Sequence, residues 1–201
     1  MLDILQASFW SITYVLLVIY AIKYKMHGIP LTAICLNYGW ETVALIRSII
    51  NGAKVALVIH IAWFVLDSII VALFLFHENR LRQALKQKLL FLIVWLLLVI
   101  VLFPIFENGG MLLSCFTIDL IMAVAFLFFA YRKEMIFSPI SITIGITKFI
   151  GDLCAWIYYK YDPIVNVIGI IVLICNLAYI FILSHKFYFE IKNKNRQEDE
   201  I

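Results

Sequence analysis

The chain has 201 residues, of which 65% are hydrophobic and 14% are charged, and its mean hydropathy is +1.02. This composition excludes an ordinary soluble domain and indicates a protein that crosses a lipid bilayer several times. The formal net charge is only +3. Because nearly all basic residues lie in loops between apolar runs, we expect no nucleic-acid partner.

Seven apolar runs follow one another along the chain, each about 20 residues long, which is the helix length that crosses roughly 30 Å of hydrocarbon. We therefore predict an all-α integral membrane fold with seven transmembrane helices in a domain of residues 1–184, followed by a polar cytoplasmic tail at 185–201. The predicted helices are residues 3–24, 31–50, 55–76, 89–106, 111–131, 137–159 and 164–184.

The distribution of lysine and arginine predicts the orientation. One side of the predicted membrane has only Lys54, Lys160 and Arg47, and the opposite side has Lys23, Lys25, Arg80, Arg82, Lys86, Lys88, Arg132, Lys133, Lys186, Lys192, Lys194 and Arg196. Because basic loops stay in the cytoplasm, the N-terminus is expected outside and the C-terminus inside.

The second run contains an acid near its middle. Glu41 lies in residues 31–50, and a carboxylate at that depth costs about 2.5–3.5 kcal/mol on insertion scales, so it must face a bundle interior, a wet cavity or a partner. Asn37 is four residues earlier and shares the helix face of Glu41. Ala44 and Ser48 continue this small, polar stripe. We interpret the face as one wall of a pocket.

Other predicted helices carry polar stripes of their own. The third predicted helix contains His60, Trp63 and Asp67, and the fifth contains Asp119. The sixth contains Lys148 and Asp152, and the seventh contains Asn176 and Tyr179. The orientation places Glu41, Asp67 and Asn176 near the middle of the membrane. It places Trp63, Asp119 and Asp152 nearer the outer leaflet. A single pocket from the midplane to the outer half would collect all six residues.

Several of these groups have simpler interpretations. Lys148 and Asp152 are four residues apart and could neutralise each other. Asp119 could hydrogen-bond a neighbouring helix. His60 is expected to be an interfacial or an internally satisfied histidine, and Asp67 could be structural or pocket-lining. Glu41 has no such explanation in the sequence, since no basic residue shares its face.

A buried acid suits a particular chemistry. A carboxylic acid in an apolar site keeps its proton, because a low dielectric disfavours the charged form. Such an acid can protonate a weak base, for example an epoxide oxygen or an alkene. The ring faces of Trp40, Trp63 and Tyr179 could then stabilise the resulting cation.

Residues 37–41, Asn-Tyr-Gly-Trp-Glu, resemble the Asn-x-x-Trp-Glu signature of the integral-membrane terpene cyclases of fungal meroterpenoid and indole-diterpene pathways, a family with bacterial members. Trp63 and Asp67 are similar to a second pattern of that family. Its members are small seven-helix proteins that cyclise a prenyl or epoxy-prenyl chain by protonation. The resemblance therefore implies Glu41 as the acid.

The last run departs from the family at one position. The family has a second acid shortly before a tyrosine, and the corresponding residues 176–179 read Asn-Leu-Ala-Tyr here. Asn176 cannot donate a proton as an acid does, although it could hydrogen-bond Glu41. If the reaction needs two carboxyl groups, Asp67 and Asp152 are the candidates for the second.

The sequence thus predicts a membrane-embedded terpene cyclase-like enzyme acting on a lipophilic small molecule, as a multi-pass protein of a bacterial inner (plasma) membrane. The predicted catalytic residues are Glu41, Asn176 and Asp67, and the predicted substrate-binding residues are Asn37, Trp40, Trp63, Tyr179, Asp119 and Asp152. No metal or other cofactor is expected, because no helix has acids and histidines at ligand spacing. A seven-helix small-solute transporter and a non-catalytic lipid-binding protein are the alternatives.

Overall fold

A computed structural model of the protein describes residues 2–24, 29–77, 81–131 and 138–199. These residues form helices and turns without any strand, so the all-α prediction is confirmed for this part of the chain. Five of the predicted helices agree with the structure to within two residues at each end. The helices are α1 (Leu2–Tyr24), α2 (Leu31–Ile50), α3 (Lys54–His77), α4 (Leu81–Glu107), α5 (Met111–Ala130), α6 (Pro139–Tyr159) and α7 (Pro163–Asp199).

Within the described residues, six helices are long and apolar enough to cross a membrane, namely α1 and α3 to α7. Helix α2 is not among them, because Asn37, Glu41 and Arg47 lower the hydropathy of an otherwise apolar segment. The prediction of a helical, multi-pass membrane protein is therefore confirmed, whereas membrane crossing by α2 stays a prediction.

The predicted orientation depends on loops that the structure does not describe. Lys25, Arg80, Arg132 and Lys133 lie in residues 25–28, 78–80 and 132–137, outside the described residues. The placement of the N-terminus outside and the C-terminus in the cytoplasm stays a prediction.

Two helices are longer than predicted. Helix α4 begins at Leu81 rather than at residue 89, and α7 continues to Asp199 rather than ending near residue 184. Neither added segment contains glycine or proline, and both are rich in lysine, glutamine and other good helix formers. Charged residues end an apolar run, but they do not end a helix.

Six helices form a closed ring in the order α1, α3, α2, α5, α7 and α6, in which each helix packs against the next. Helix α4 lies outside the ring, against α2 and α5. Glycines allow some of these close approaches, as is common between membrane helices. A Cβ at Gly151 of α6 would lie 2.9 Å from Cδ1 of Trp10 on α1, and a Cβ at Gly39 of α2 would lie 3.0 Å from Cβ of Leu98 on α4.

The helices alternate in direction, so that one end of the ring contains the start of α1 and three short turns. These turns, at residues 51–53, 108–110 and 160–162, join α2 to α3, α4 to α5 and α6 to α7. Gly52 and Gly109 have φ angles of 63° and 78°, a conformation that favours glycine. We call this end the N-terminal end of the bundle.

Candidate active site

The ring encloses a cavity of about 620 Å³, which we call the main cavity. This volume lies within the range of roughly 300–1,000 Å³ that is usual for small-molecule sites. The cavity extends to the N-terminal end of the bundle, where Asp3, Val55 and Gly109 line it. Its aromatic lining is Trp10, Tyr14, Trp40, Trp63, Phe116 and Tyr159, and its polar lining includes Gln6, Asn37, Glu41, His60, Asp119 and Asp152.

Glu41 and His60 form a buried pair on the wall of the main cavity. Oε2 of Glu41 lies 3.0 Å from Nδ1 of His60, and the two residues are 2% and 6% exposed. The histidine ring lies between two indoles, with centroid distances of 5.7 Å to Trp40 and 5.9 Å to Trp63. Helix α2 therefore provides the acid, and α3 provides the partner that holds it.

The two indoles are themselves held in place by hydrogen bonds to neighbouring helices. Trp40 Nε1 donates to Oγ of Ser114 on α5 at 3.3 Å, and Trp63 Nε1 donates to Oγ of Ser11 on α1 at 3.0 Å. Because a buried indole N–H needs an acceptor, these serines fix which way each ring faces. The aromatic wall around Glu41 is thus built from four helices.

Asn37 and Tyr14 close the main cavity on the side away from the N-terminal end. The Asn37 amide donates to Oδ2 of Asp67 at 2.7 Å and to the hydroxyl oxygen of Tyr14. Both Asn37 and Tyr14 also line a second cavity of about 40 Å³, which we call the inner cavity. Asp67 lines only the inner cavity, so it lies behind the floor of the main one.

A second polar cluster, which we call the aspartate wall, consists of Asp119, Lys148, Asp152 and Asn176, and its two aspartates line the main cavity. Nζ of Lys148 lies 2.5 Å from Oδ1 of Asp119 and 2.5 Å from Oδ2 of Asp152. Asn176 donates to the same oxygen of Asp152 at 2.6 Å. Lys148 also lies 4.9 Å from the ring centroid of Trp10, a cation–π distance. This cluster joins α1, α5, α6 and α7.

A family model of Pyr4-like transmembrane terpene cyclases matches residues 1–186 of the chain. The chain belongs to this family. The match covers all seven helices except the end of α7, so the suspected membership of the integral-membrane terpene cyclase family is confirmed. Searches of curated proteins and of solved structures returned no match.

The structure of this family member brings most of the predicted site residues together. Asn37, Trp40, Glu41, Trp63, Asp119 and Asp152 all line the main cavity. Two of the six residues expected in one pocket, Asp67 and Asn176, line the inner cavity, and so does Tyr179.

The position of Asn176 differs most from the expectation. Asn176 could have hydrogen-bonded Glu41, but its partner is Asp152. Tyr179 does not join Trp40 and Trp63, because the Tyr14–Asn37 floor lies between the two cavities. The roles of Asp67, Asn176 and Tyr179 in a reaction stay predictions.

His60 is the residue whose importance the sequence did not reveal. Of the two interpretations of His60, the interfacial one is wrong and the internally satisfied one is confirmed, since the side chain is buried and contacts Glu41. The sequence did contain an indication of this position, because His60 lies on the same face of α3 as Trp63 and Asp67.

Two expectations for the aspartate wall are confirmed. Lys148 pairs with Asp152, as expected from their spacing, and Asp119 bonds to a neighbouring helix by linking α5 to α6.

Within the described residues, no group of three histidines, cysteines or acids is arranged to hold a metal ion. The residues that line the main cavity suit proton transfer and cation stabilisation. The expectation that the protein uses no cofactor stays a prediction.

Proposed function

We propose that this terpene cyclase is metal-independent and that Glu41 starts the reaction by protonating a lipophilic prenyl or epoxy-prenyl substrate in the main cavity. One observation carries the proposal: a carboxyl group, 2% exposed, lies on the wall of a cavity of about 620 Å³ whose lining is mainly aromatic and aliphatic. A proton donor and space for the substrate therefore occur together.

The proposed step balances as a simple proton transfer. Glu41 gives its carboxyl proton to an epoxide oxygen, whose C–O bond breaks, or to an alkene carbon, where the π electrons form the new C–H bond. The carbocation is then attacked by double bonds of the same chain, which forms the ring bonds. Loss of a proton from the last cation ends the reaction, and Glu41 must regain a proton before the next turnover.

The aromatic lining supports the second requirement of this chemistry, which is to stabilise a cation without trapping it. A ring face attracts a cation within about 6 Å of its centroid and has no lone pair that readily forms a bond. Trp40 and Trp63 flank the Glu41–His60 pair, and Trp10 lies near the aspartate wall. Trp10 takes the place of Tyr179 beside Trp40 and Trp63 in this proposed role, since Trp10 lines the main cavity and Tyr179 lines the inner cavity.

His60 is proposed as the positioning residue for Glu41. Its hydrogen bond fixes one oxygen of the carboxyl group, which leaves the other oxygen for the substrate. After proton transfer the imidazole also stabilises the carboxylate by a charge-assisted hydrogen bond.

The same proposal includes the membrane arrangement. Helix α2 is the seventh span, and its polar groups are tolerated because Glu41 and Ser48 are buried inside the bundle. With the N-terminus outside, the main cavity opens toward the outer leaflet of a bacterial inner membrane. A lipophilic substrate would then reach the cavity from the bilayer.

Product analysis tests this function. Membranes that contain the wild type are supplied with linear, epoxidised and aromatic-linked prenyl compounds, and the products are analysed by mass spectrometry. We expect a product with the mass of its substrate and a different retention time. Tight binding without conversion of any compound in the panel would contradict the proposal and favour the non-catalytic lipid-binding alternative. Uptake into sealed vesicles without conversion would favour a transporter.

A further inference from the structure

The main cavity ends at the Tyr14–Asn37 floor, which separates it from the inner cavity. Trp10 and Met122 extend this floor, because they also line both cavities. Tyr14 is 3% exposed, and its ring lies between two indoles, with centroid distances of 6.0 Å to Trp10 and 6.1 Å to Trp63. A prenyl chain that enters from the N-terminal end of the bundle therefore meets a phenol ring that larger rings flank.

Hydrogen bonds hold this phenol ring in place. The Asn37 amide donates to the hydroxyl oxygen of Tyr14 and to Oδ2 of Asp67, a residue that is 5% exposed. Displacing the ring would break a hydrogen bond at a buried position, which costs more than moving an apolar side chain of the same size. The floor is therefore a fixed end of the main cavity.

The space behind the floor suits hydrocarbon but is small. The residues that line only the inner cavity are mainly apolar and include Leu17, Ile34, Ile70, Phe126 and Ile144. Its volume of about 40 Å³ is far below the roughly 150 Å³ of an engineered apolar cavity that binds benzene. An isoprenoid unit is close to benzene in size, so it does not fit behind the floor while the phenol ring is in place.

The floor lies one helical turn from the acid. Asn37 and Glu41 are four residues apart on α2, about 6 Å along the helix axis, and Glu41 is the nearer of the two to the N-terminal end of the bundle. A chain whose reacting carbon lies beside Glu41 has only this short distance left before the floor. That distance leaves room for the end of the chain and for little more.

We propose that Tyr14 determines how deeply a prenyl chain enters the main cavity, and that it thereby restricts the proton from Glu41 to the terminal unit of the chain. Without the phenol ring the two cavities would join, and the chain would move past Glu41 until the next double bond reached the acid. The same proton transfer would then start cyclisation at an internal double bond and leave the terminal unit outside the rings. The second part rests on the proposed function, whereas the depth of entry does not.

An unreactive photolabel measures the depth without turnover. The probe is a saturated long-chain alcohol with a diazirine at the end of its chain, which on irradiation inserts into the side chains around it. The protein is labelled in nanodiscs, and the labelled positions are mapped by mass spectrometry of its peptides. Ile70, Ile144 and Tyr179 line only the inner cavity and are 3%, 5% and 5% exposed, so probe dissolved in the bilayer does not reach them.

We expect the wild type to be labelled at residues of the main cavity. Tyr14→Ala should also be labelled at the three inner residues, at least about fivefold more than the wild type, which corresponds to the smallest usual cost of forcing extra atoms into a filled site. Equal labelling of the inner residues in both proteins would overturn the proposal. If Tyr14→Ala does not fold, Tyr14→Leu removes the ring with a smaller loss of apolar volume and has the same two outcomes.

Two control variants assign the effect to the ring at the floor. Tyr14→Phe keeps the ring between the two indoles and loses only the hydroxyl group, so its labelling should stay close to that of the wild type. Tyr159→Ala removes a ring from the main cavity at the N-terminal end, and the inner residues should stay unlabelled. Inner labelling in either control as strong as in Tyr14→Ala would overturn the assignment to the Tyr14 ring.

Product analysis tests the second part of the proposal. The wild-type product should have its terminal unit within the rings, whereas Tyr14→Ala should also form an isomer that keeps the terminal double bond, which NMR detects. If the wild type converts no compound, the proposed function fails, and the photolabel still decides the depth of entry. If Tyr14→Ala admits the probe to the inner cavity but forms only the wild-type product, Tyr14 does not restrict the site of protonation.

Discussion

Replacement of His60 by leucine tests how the acid is held. Leucine fills similar space but removes the nitrogen that lies 3.0 Å from Oε2 of Glu41. Glu41 is 2% exposed, so its carboxyl group loses a hydrogen-bond partner at a buried position. A buried polar group without its hydrogen bond costs about 1–3 kcal/mol, so the variant should unfold at a lower temperature.

The larger effect is expected on kcat. A carboxyl group free to rotate spends less time in the reactive orientation, and a misplacement of about 1 Å can cost on the order of 100-fold in rate. We therefore expect His60→Leu to lower kcat by about 10- to 100-fold, with KM changed less than about threefold because the cavity keeps its shape. Steady-state product formation in nanodiscs measures both constants.

Two further variants separate positioning from a general loss of structure. His60→Asn restores a donor near the place of Nδ1 and should recover most of kcat. His185→Leu makes the same change at an exposed site between Phe181 and Phe189 and should leave both constants unchanged. A His60→Leu enzyme with wild-type kcat would refute the positioning role. So would a His60→Asn enzyme as slow as the leucine variant although equally stable.

Three other substitutions have expected outcomes that thermal unfolding and product formation can check. Lys148→Met removes the cation between two buried carboxyl groups and should destabilise the protein by about 3–5 kcal/mol, whereas Lys54→Met at an exposed helix start should not. Gly151→Ala places a Cβ 2.9 Å from Trp10, so it should cost about 1–3 kcal/mol and lower activity by displacing that ring from the cavity wall. Asn176→Asp adds a third carboxyl group to a cluster with one lysine, so it should lower stability and bring no gain in cyclisation.

Each of these three predictions has a clear contrary result. A Lys148→Met protein as stable as the wild type would mean that the aspartates do not depend on the lysine. Unchanged activity in Gly151→Ala would show that Trp10 does not shape the substrate site. Faster cyclisation by Asn176→Asp would mean that the chain lacks an acid that the reaction needs, and that Asp152 does not supply it.

The helices could be predicted from the sequence because apolar runs of membrane-spanning length are separated by polar turns. The polar face of α2 could also be predicted, since Asn37 and Glu41 are four residues apart on one helix. Helical spacing assigns a residue to a face of its own helix, but it does not say which helix that face meets. The ring order, with α4 outside, follows from packing over the whole length of the helices.

This limit explains the errors at the site. The pairing of Glu41 with His60 joins two helices, so neither residue's own neighbours in sequence reveal it. The same holds for Asn176, which meets Asp152 rather than Glu41. Tyr179 lines the inner cavity, on the far side of Tyr14 and Asn37 from Trp40 and Trp63. The division of the interior into two cavities depends on side chains from different helices, so no pattern within one helix predicts it. Lys148 and Asp152 were predictable as a pair because both lie on α6 at i, i+4 spacing.

The central claim is that the carboxyl proton of Glu41 starts the cyclisation, and the most direct test compares kcat of Glu41→Gln with that of Glu107→Gln. Glutamine keeps the size of the side chain and its hydrogen bond to His60, but it cannot donate an acid proton. Glu107 pairs with Arg47 on the outside of the bundle at 3.1 Å, so the same substitution there leaves the cavity unchanged. We predict that Glu41→Gln folds and loses about 100- to 10,000-fold in kcat, the usual contribution of a general acid, while Glu107→Gln keeps wild-type activity. Wild-type product formation by folded Glu41→Gln would contradict the claim.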